Sequence, residues 1–139
     1  MRRDAKILIA LGLLSVCFFA GCAGSRVAIQ RKIAKDFWKQ PQYKETCSAE
    51  DFSVRIVSSF DDVHVVFVDG PFAYLDVVTY EYVDGLEFSY PDSQKMMVYY
   101  GGEFFWLDEA FERRLLTSDE IRETYKAYEK YATEEHERP

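Results

Sequence analysis

Hydrophobic residues along this chain follow three different spacings. From Ile7 to Ala20 they form a nearly unbroken apolar run of 14 residues. Val27, Ile29, Ile33, Ala34, Phe37 and Trp38 then recur mostly on one face of a helix, with cations between them. This spacing predicts an amphipathic helix over 26–39. Pro41 should end it, because the residue before a proline avoids helical geometry. Residues 40–51 read as a polar connection.

From Phe52 to Trp106 the period falls towards two. Val54, Ile56, Ser58 and Phe60 alternate with Arg55, Val57 and Ser59, and Asp61-Asp62 marks a turn. Val63–Val68 is a β-branched run closed by Asp69-Gly70-Pro71. A long β-rich run from Phe72 to Val83 ends at Asp84-Gly85, and Leu86–Tyr90 ends at Pro91. Met96–Tyr100 and Glu103–Trp106 flank Gly101-Gly102, a two-residue link suited to a primed hairpin turn. The helical period then returns. Asp108 is placed to cap a helix from Glu109 to Leu115. Thr117 and Glu120 have capping-box spacing ahead of Ile121, Tyr125 and Tyr128. Helices before and after the strands, instead of between them, predict an α+β fold. It consists of an antiparallel sheet of four to six strands with an N-terminal amphipathic helix and C-terminal helices. Residues 42–133 form its single α+β domain, and the charged tail 134–139 is expected to fray.

Composition changes this picture in two respects. At 48% hydrophobic and 17% aromatic residues, the chain can bury a core. Charge is divided unevenly: residues 26–39 carry a net +4 and residues 40–139 a net −13. So acidic a body argues against nucleic-acid binding, where neutralisation of phosphates dominates affinity.

The amino terminus supplies the most specific signal. Arg2, Arg3 and Lys6 precede the apolar run, and Phe19-Ala20-Gly21-Cys22 follows from it. Fourteen apolar residues suit a signal-peptide core and fall short of the roughly 20 that span a bilayer. The segment resembles the signal peptide of bacterial lipoproteins, with Phe19 where leucine is usual. The resemblance implies cleavage after residue 21, lipidation of Cys22, and an anchored protein facing outward, in the periplasm or on the cell surface. Residues 22–41 would then be a lipidated cysteine and a basic helix lying against anionic head groups. Plain secretion and an uncleaved anchor are the alternatives. The apolar face of the helix has two destinations: packing on the domain, or insertion of Phe37 and Trp38 into the membrane interface. Farther on, Tyr99–Phe111 with Leu115–Ile121 resembles a C-terminal element of small uncharacterised bacterial proteins, which implies a terminal hairpin with helices folded back over the sheet.

Candidate chemistry is sparse. With Cys17 in the signal and Cys22 lipidated, Cys47 has no intramolecular disulfide partner. His64 lies mid-strand and His136 in the tail, and no metal-ligand spacing occurs. We expect no metal, no cofactor and no catalytic residue. The aromatics carry the functional interest. Phe72, Tyr74, Tyr80 and Tyr82 share one face of the long strand, and Ala73, Leu75, Val77, Thr79 and Val83 share the other. The aromatic face is either covered by the terminal helix or exposed. If exposed, Tyr74, Tyr80 and Tyr82 would make a recognition surface for an envelope protein or a glycan. The reading is a non-catalytic envelope lipoprotein presenting a binding or assembly domain. Its alternative is a secreted soluble ligand-binding or inhibitor domain.

Overall fold

Two central strands, apolar on both faces, set the architecture. The computed structural model describes residues 22–72, 80–91 and 93–137, with side chains for 25–72, 80–91 and 93–132. The signal segment, Tyr74 and most of the long β-rich run lie outside the described residues. Cys22 is described through its backbone only.

Strands β1 (Ser53–Phe60), β2 (Val63–Asp69), β5 (Gln94–Tyr100) and β6 (Glu103–Trp106) form an antiparallel sheet in the order β1-β2-β5-β6. The inner pair alternates between two cores. Val63, Val65, Phe67, Met96 and Val98 face one side. Val66, Val68, Met97 and Tyr99 face the other. Burial on both faces explains the continuous apolar run of β2, where a one-sided sheet would show polar alternation. Between β2 and β5 the chain inserts a two-stranded hairpin, β3 (Tyr80–Val83) and β4 (Leu86–Ser89). Its Asp84-Gly85 turn takes positive φ at both residues, as does Gly101-Gly102 between β5 and β6. The primed turn expected at Gly101-Gly102 therefore forms, and Asp84-Gly85 makes a second one.

Helix α1 (Cys22–Trp38) covers one face and α2 (Pro41–Lys44) continues from it. Pro41 both stops α1 and occupies the first turn of α2, where a missing N–H costs nothing. Phe37 is 2% exposed, with its ring 5.0–5.9 Å from those of Tyr43, Phe52, Phe72 and Phe104. Of the two destinations for the apolar face, domain packing holds at Ile33 and Phe37, while Val27 and Ile29 stay exposed. Insertion of Phe37 into a membrane is excluded because its partners already enclose it. Trp38, the other half of that reading, is half-buried, and its indole N–H donates to the Cys47 carbonyl at 2.8 Å.

Helix α1 also shields the sheet edge. Arg26 donates to the carbonyl of Ile56 at 2.8 Å, and the Ile56 N–H donates to Gln30 Oε1 at 2.9 Å. Backbone groups of an edge strand otherwise invite pairing with another chain. A register shift between Ile56 and Ser58 bends β1 further out of a flat edge.

The second face lies under the hairpin, α3 (Leu107–Glu112) and α4 (Ser118–Glu137). Asp108 does not cap α3. The helix starts at Leu107, Trp106 takes the cap position, and the helix stops at Glu112 instead of Leu115. Leu107 and Ala110 are both fully buried, and placing them on one helical face requires this earlier start. The second cap forms as expected: the Thr117 N–H donates to Glu120 Oε1 and the Glu120 N–H to Thr117 Oγ1. Helix α4 continues to Glu137, through the stretch expected to begin the tail. Tyr128 ties it to the hairpin, donating to the Ser89 carbonyl at 2.7 Å and accepting from the Ser89 N–H at 2.9 Å. Among the described residues, no helix is long and apolar enough to cross a membrane.

Candidate functional site

The β3–β4 hairpin separates its residues by strand alternation. Glu81, Val83 and Phe88 point into the core, while Tyr80 and Tyr82 point outward, 58% and 64% exposed. Their rings meet edge to face with centroids 5.9 Å apart. The terminal helix packs on the opposite, inner face, with Tyr125 and Tyr128 against Phe88. Tyr80 and Tyr82 are therefore open, and the covered alternative fails for both. Tyr74 lies outside the described residues. Because both rings are largely exposed, replacing both tyrosines with serine should change stability by no more than about 1 kcal/mol. A thermal melt followed by circular dichroism checks this, and a large fall in midpoint would show that the pair is structural.

Glu81 was not anticipated as a buried charge. It is only 7% exposed. Tyr90 Oη donates to Oε2 at 3.0 Å and the Asp108 N–H to Oε1 at 3.3 Å. Burial pushes the carboxyl up to about 7, against the pull of the Asp108 N–H and Tyr90. The same burial, with the adjoining carboxylate, raises the Tyr90 phenol. The one sequence signal was phase: Glu81 stands in register with the buried Val83, not with the tyrosines.

Tyr90 connects this acid to a cavity of about 520 Å³ between α4, β4 and the start of β5. Phe67 forms apolar wall, and Ser89, Gln94, Tyr128 and Tyr131 bring polar groups. Tyr131 stacks on Phe67 with centroids 4.7 Å apart and accepts from Gln94 Nε2 at 3.3 Å. A concave apolar site with few, fixed polar groups is the usual form of a small-molecule pocket. Glu81 itself does not line this cavity, and both of its oxygens accept hydrogen bonds from the protein.

The other singled-out residues stay apart. His64 is half-buried on β2 and shares a 2.7 Å hydrogen bond with Ser59, burial lowering its pKa against the pull of Asp62. Cys47 is a free, half-buried thiol. Among the described residues, no group of three or more His, Cys, Asp or Glu side chains could hold a metal ion. Cys22 opens α1, on an element remote in sequence from the tyrosine hairpin. No protein-family model, curated protein or solved structure matches the chain.

Proposed function

We propose that this protein is a lipid-tethered, non-catalytic binding domain of the bacterial cell envelope, anchored through Cys22 outside the cytoplasmic membrane. The carrying observation is the division of labour on α1. Its inner face, with Ile33 and Phe37, is buried on the sheet. Its outer face leaves Arg31, Lys35 and the following Lys39 exposed, and Val27 and Ile29 remain uncovered at 44% and 37%. Cationic side chains beside a lipidated residue gain about 1 kcal/mol each near anionic head groups. The acidic body would be repelled by the same surface and held outward.

The body's role in this reading is recognition. The exposed tyrosine pair and the cavity behind Tyr90 supply aromatic area with polar tips, suited to an envelope protein or a glycan. Enclosure of Glu81, the buried acid, supports a structural duty for it over a catalytic one.

Fractionation of cells producing the protein tests the tether. A diacylglyceryl adduct on Cys22, seen by mass spectrometry of the membrane fraction, is the expected result. The Cys22→Ala protein should move to the soluble envelope fraction or remain unprocessed; equal membrane binding in processed form would sink the proposal. Replacement of Arg31, Lys35 and Lys39 with glutamine should weaken binding of the lipidated protein to vesicles containing anionic lipid, and leave binding to zwitterionic vesicles nearly unchanged.

A further inference from the structure

A buried cation stands on the opposite face of the sheet from Glu81. Lys95, in β5, is 5% exposed. Its Nζ donates to Tyr43 Oη at 2.9 Å and lies 4.6 Å from the centroid of Phe72 and 5.6 Å from those of Tyr43 and Trp106. Among the described residues no carboxylate forms an ion pair with it. Ring faces and one hydroxyl soften the cost of burying an ammonium, but they carry no net negative charge to compensate it. An ammonium also has three donors, and Tyr43 takes one.

A cavity of about 220 Å³ opens beside this group, lined among others by Gln40, Gln42, Lys95, Trp106 and Glu109. Glu109 would repel an anion, but Arg113 pairs with it at 3.2 Å. The positive charge of Lys95 therefore sets the polarity of the pocket, and two glutamine side chains at its wall offer amide donors. The volume is below the roughly 300–1,000 Å³ of pockets for drug-sized ligands, which limits the occupant to about one ring. We propose that this pocket binds a small ring-bearing carboxylate, its carboxylate completing the charge of Lys95 and its ring lying against Trp106. Such a ligand is either an acidic sugar or an aryl carboxylate. The inference does not depend on the membrane tether.

The two indole N–H signals of the ¹⁵N-labelled full chain in non-ionic detergent provide the test, with Trp38, which does not line the pocket, as internal control. Glucuronate or phenylacetate should shift the Trp106 signal saturably and leave that of Trp38 in place; which one binds identifies the sugar or the aryl class. Neutral glucose should have no effect. Lys95→Met, which keeps an unbranched side chain among the rings, should weaken carboxylate binding about tenfold or more. The proposal is overturned if neither carboxylate moves Trp106, if glucose binds as well as glucuronate, or if a folded Lys95→Met protein binds unchanged. Should Lys95→Met fail to fold, the glucuronate–glucose comparison on the unaltered chain decides: equal binding overturns the role of charge.

Discussion

Phe37→Ala should lower the free energy of unfolding by about 3–5 kcal/mol, the range for deleting a buried phenylalanine. Among the described residues, no other aromatic ring has as many ring partners. Four rings surround Phe37 at centroid distances of 5.0–5.9 Å, three of them edge-on, and they come from α2, the residue before β1, the chain after β2, and β6. Removing the ring takes away its apolar transfer energy and leaves a cavity that the sheet behind it cannot collapse to fill. A typical domain has only about 5–15 kcal/mol in total, so the variant should be marginal. Urea denaturation is the measurement. The midpoint should fall with little change in slope, as for a loss of stability without a change in the surface exposed on unfolding. A loss under about 1 kcal/mol would mean that α1 is not docked as described. Its apolar face would then be free for the membrane interface.

Stability should also fall as pH rises through the titration of Glu81. Its folded-state pKa is about 7, against 4.5 for the ordinary carboxyl, because burial disfavours the ion. The folded protein therefore holds the proton more tightly than the unfolded chain does. The favourable contribution is full below the unfolded value, declines as pH rises towards the folded value of about 7, and is gone above it. The span corresponds to on the order of 3 kcal/mol. Tyr90 and Asp108 are the titratable neighbours at the carboxyl. Glu81→Gln keeps the shape and removes the titration; its amide oxygen can take the Asp108 N–H, and the Tyr90 hydroxyl then turns to accept from the amide N–H. Other carboxylates contribute to both proteins alike, so the informative quantity is the difference between them. Measured at about pH 5 and about pH 8, the variant should gain on the original protein by up to that amount. A difference independent of pH would show that Glu81 is solvated in the folded state.

The two variants probe opposite faces of one sheet, and each bears on function. Phe37 holds the helix that presents the cationic surface after Cys22. Glu81 ties the tyrosine hairpin to the start of α3 through the Asp108 N–H. Loosening the first should disturb the geometry of the tether. Ionising the second should loosen the hairpin that carries Tyr80 and Tyr82.

Much of the fold was legible because its signals are local. The Asp84-Gly85 and Gly101-Gly102 turns and the Thr117–Glu120 box each act over a few residues, and each forms as read. The strand over Val54–Phe60 forms too, but the register shift between Ile56 and Ser58 breaks its alternation: Val54 and Ile56 join one core, Val57 and Phe60 the other. The start of α3 was misplaced because its cause is not local: Leu107 and Ala110 must both reach the core under the hairpin, which outweighs the preference of Asp108 for a cap. The site was less legible still. Tyr80 and Tyr82 could be assigned to one face, but alternation gives only the grouping and not which group meets solvent.

By itself, the sequence determined the order of the longer helices and strands, the turns, the segregation of charge, and the expectation of a lipid on Cys22; it read 40–51 as a polar connection and missed α2 with its buried Tyr43. These depend on residue type and spacing along the chain. Only the tertiary structure decided that the sheet is covered on both faces, that the hairpin turns its tyrosines outward, and that Glu81 and Lys95 are buried charges. Those properties arise from residues far apart in sequence: Tyr43, Phe72 and Trp106 gather around Lys95, and Tyr90 with Asp108 closes over Glu81. Burial and its cost belong to an environment that no single segment encodes.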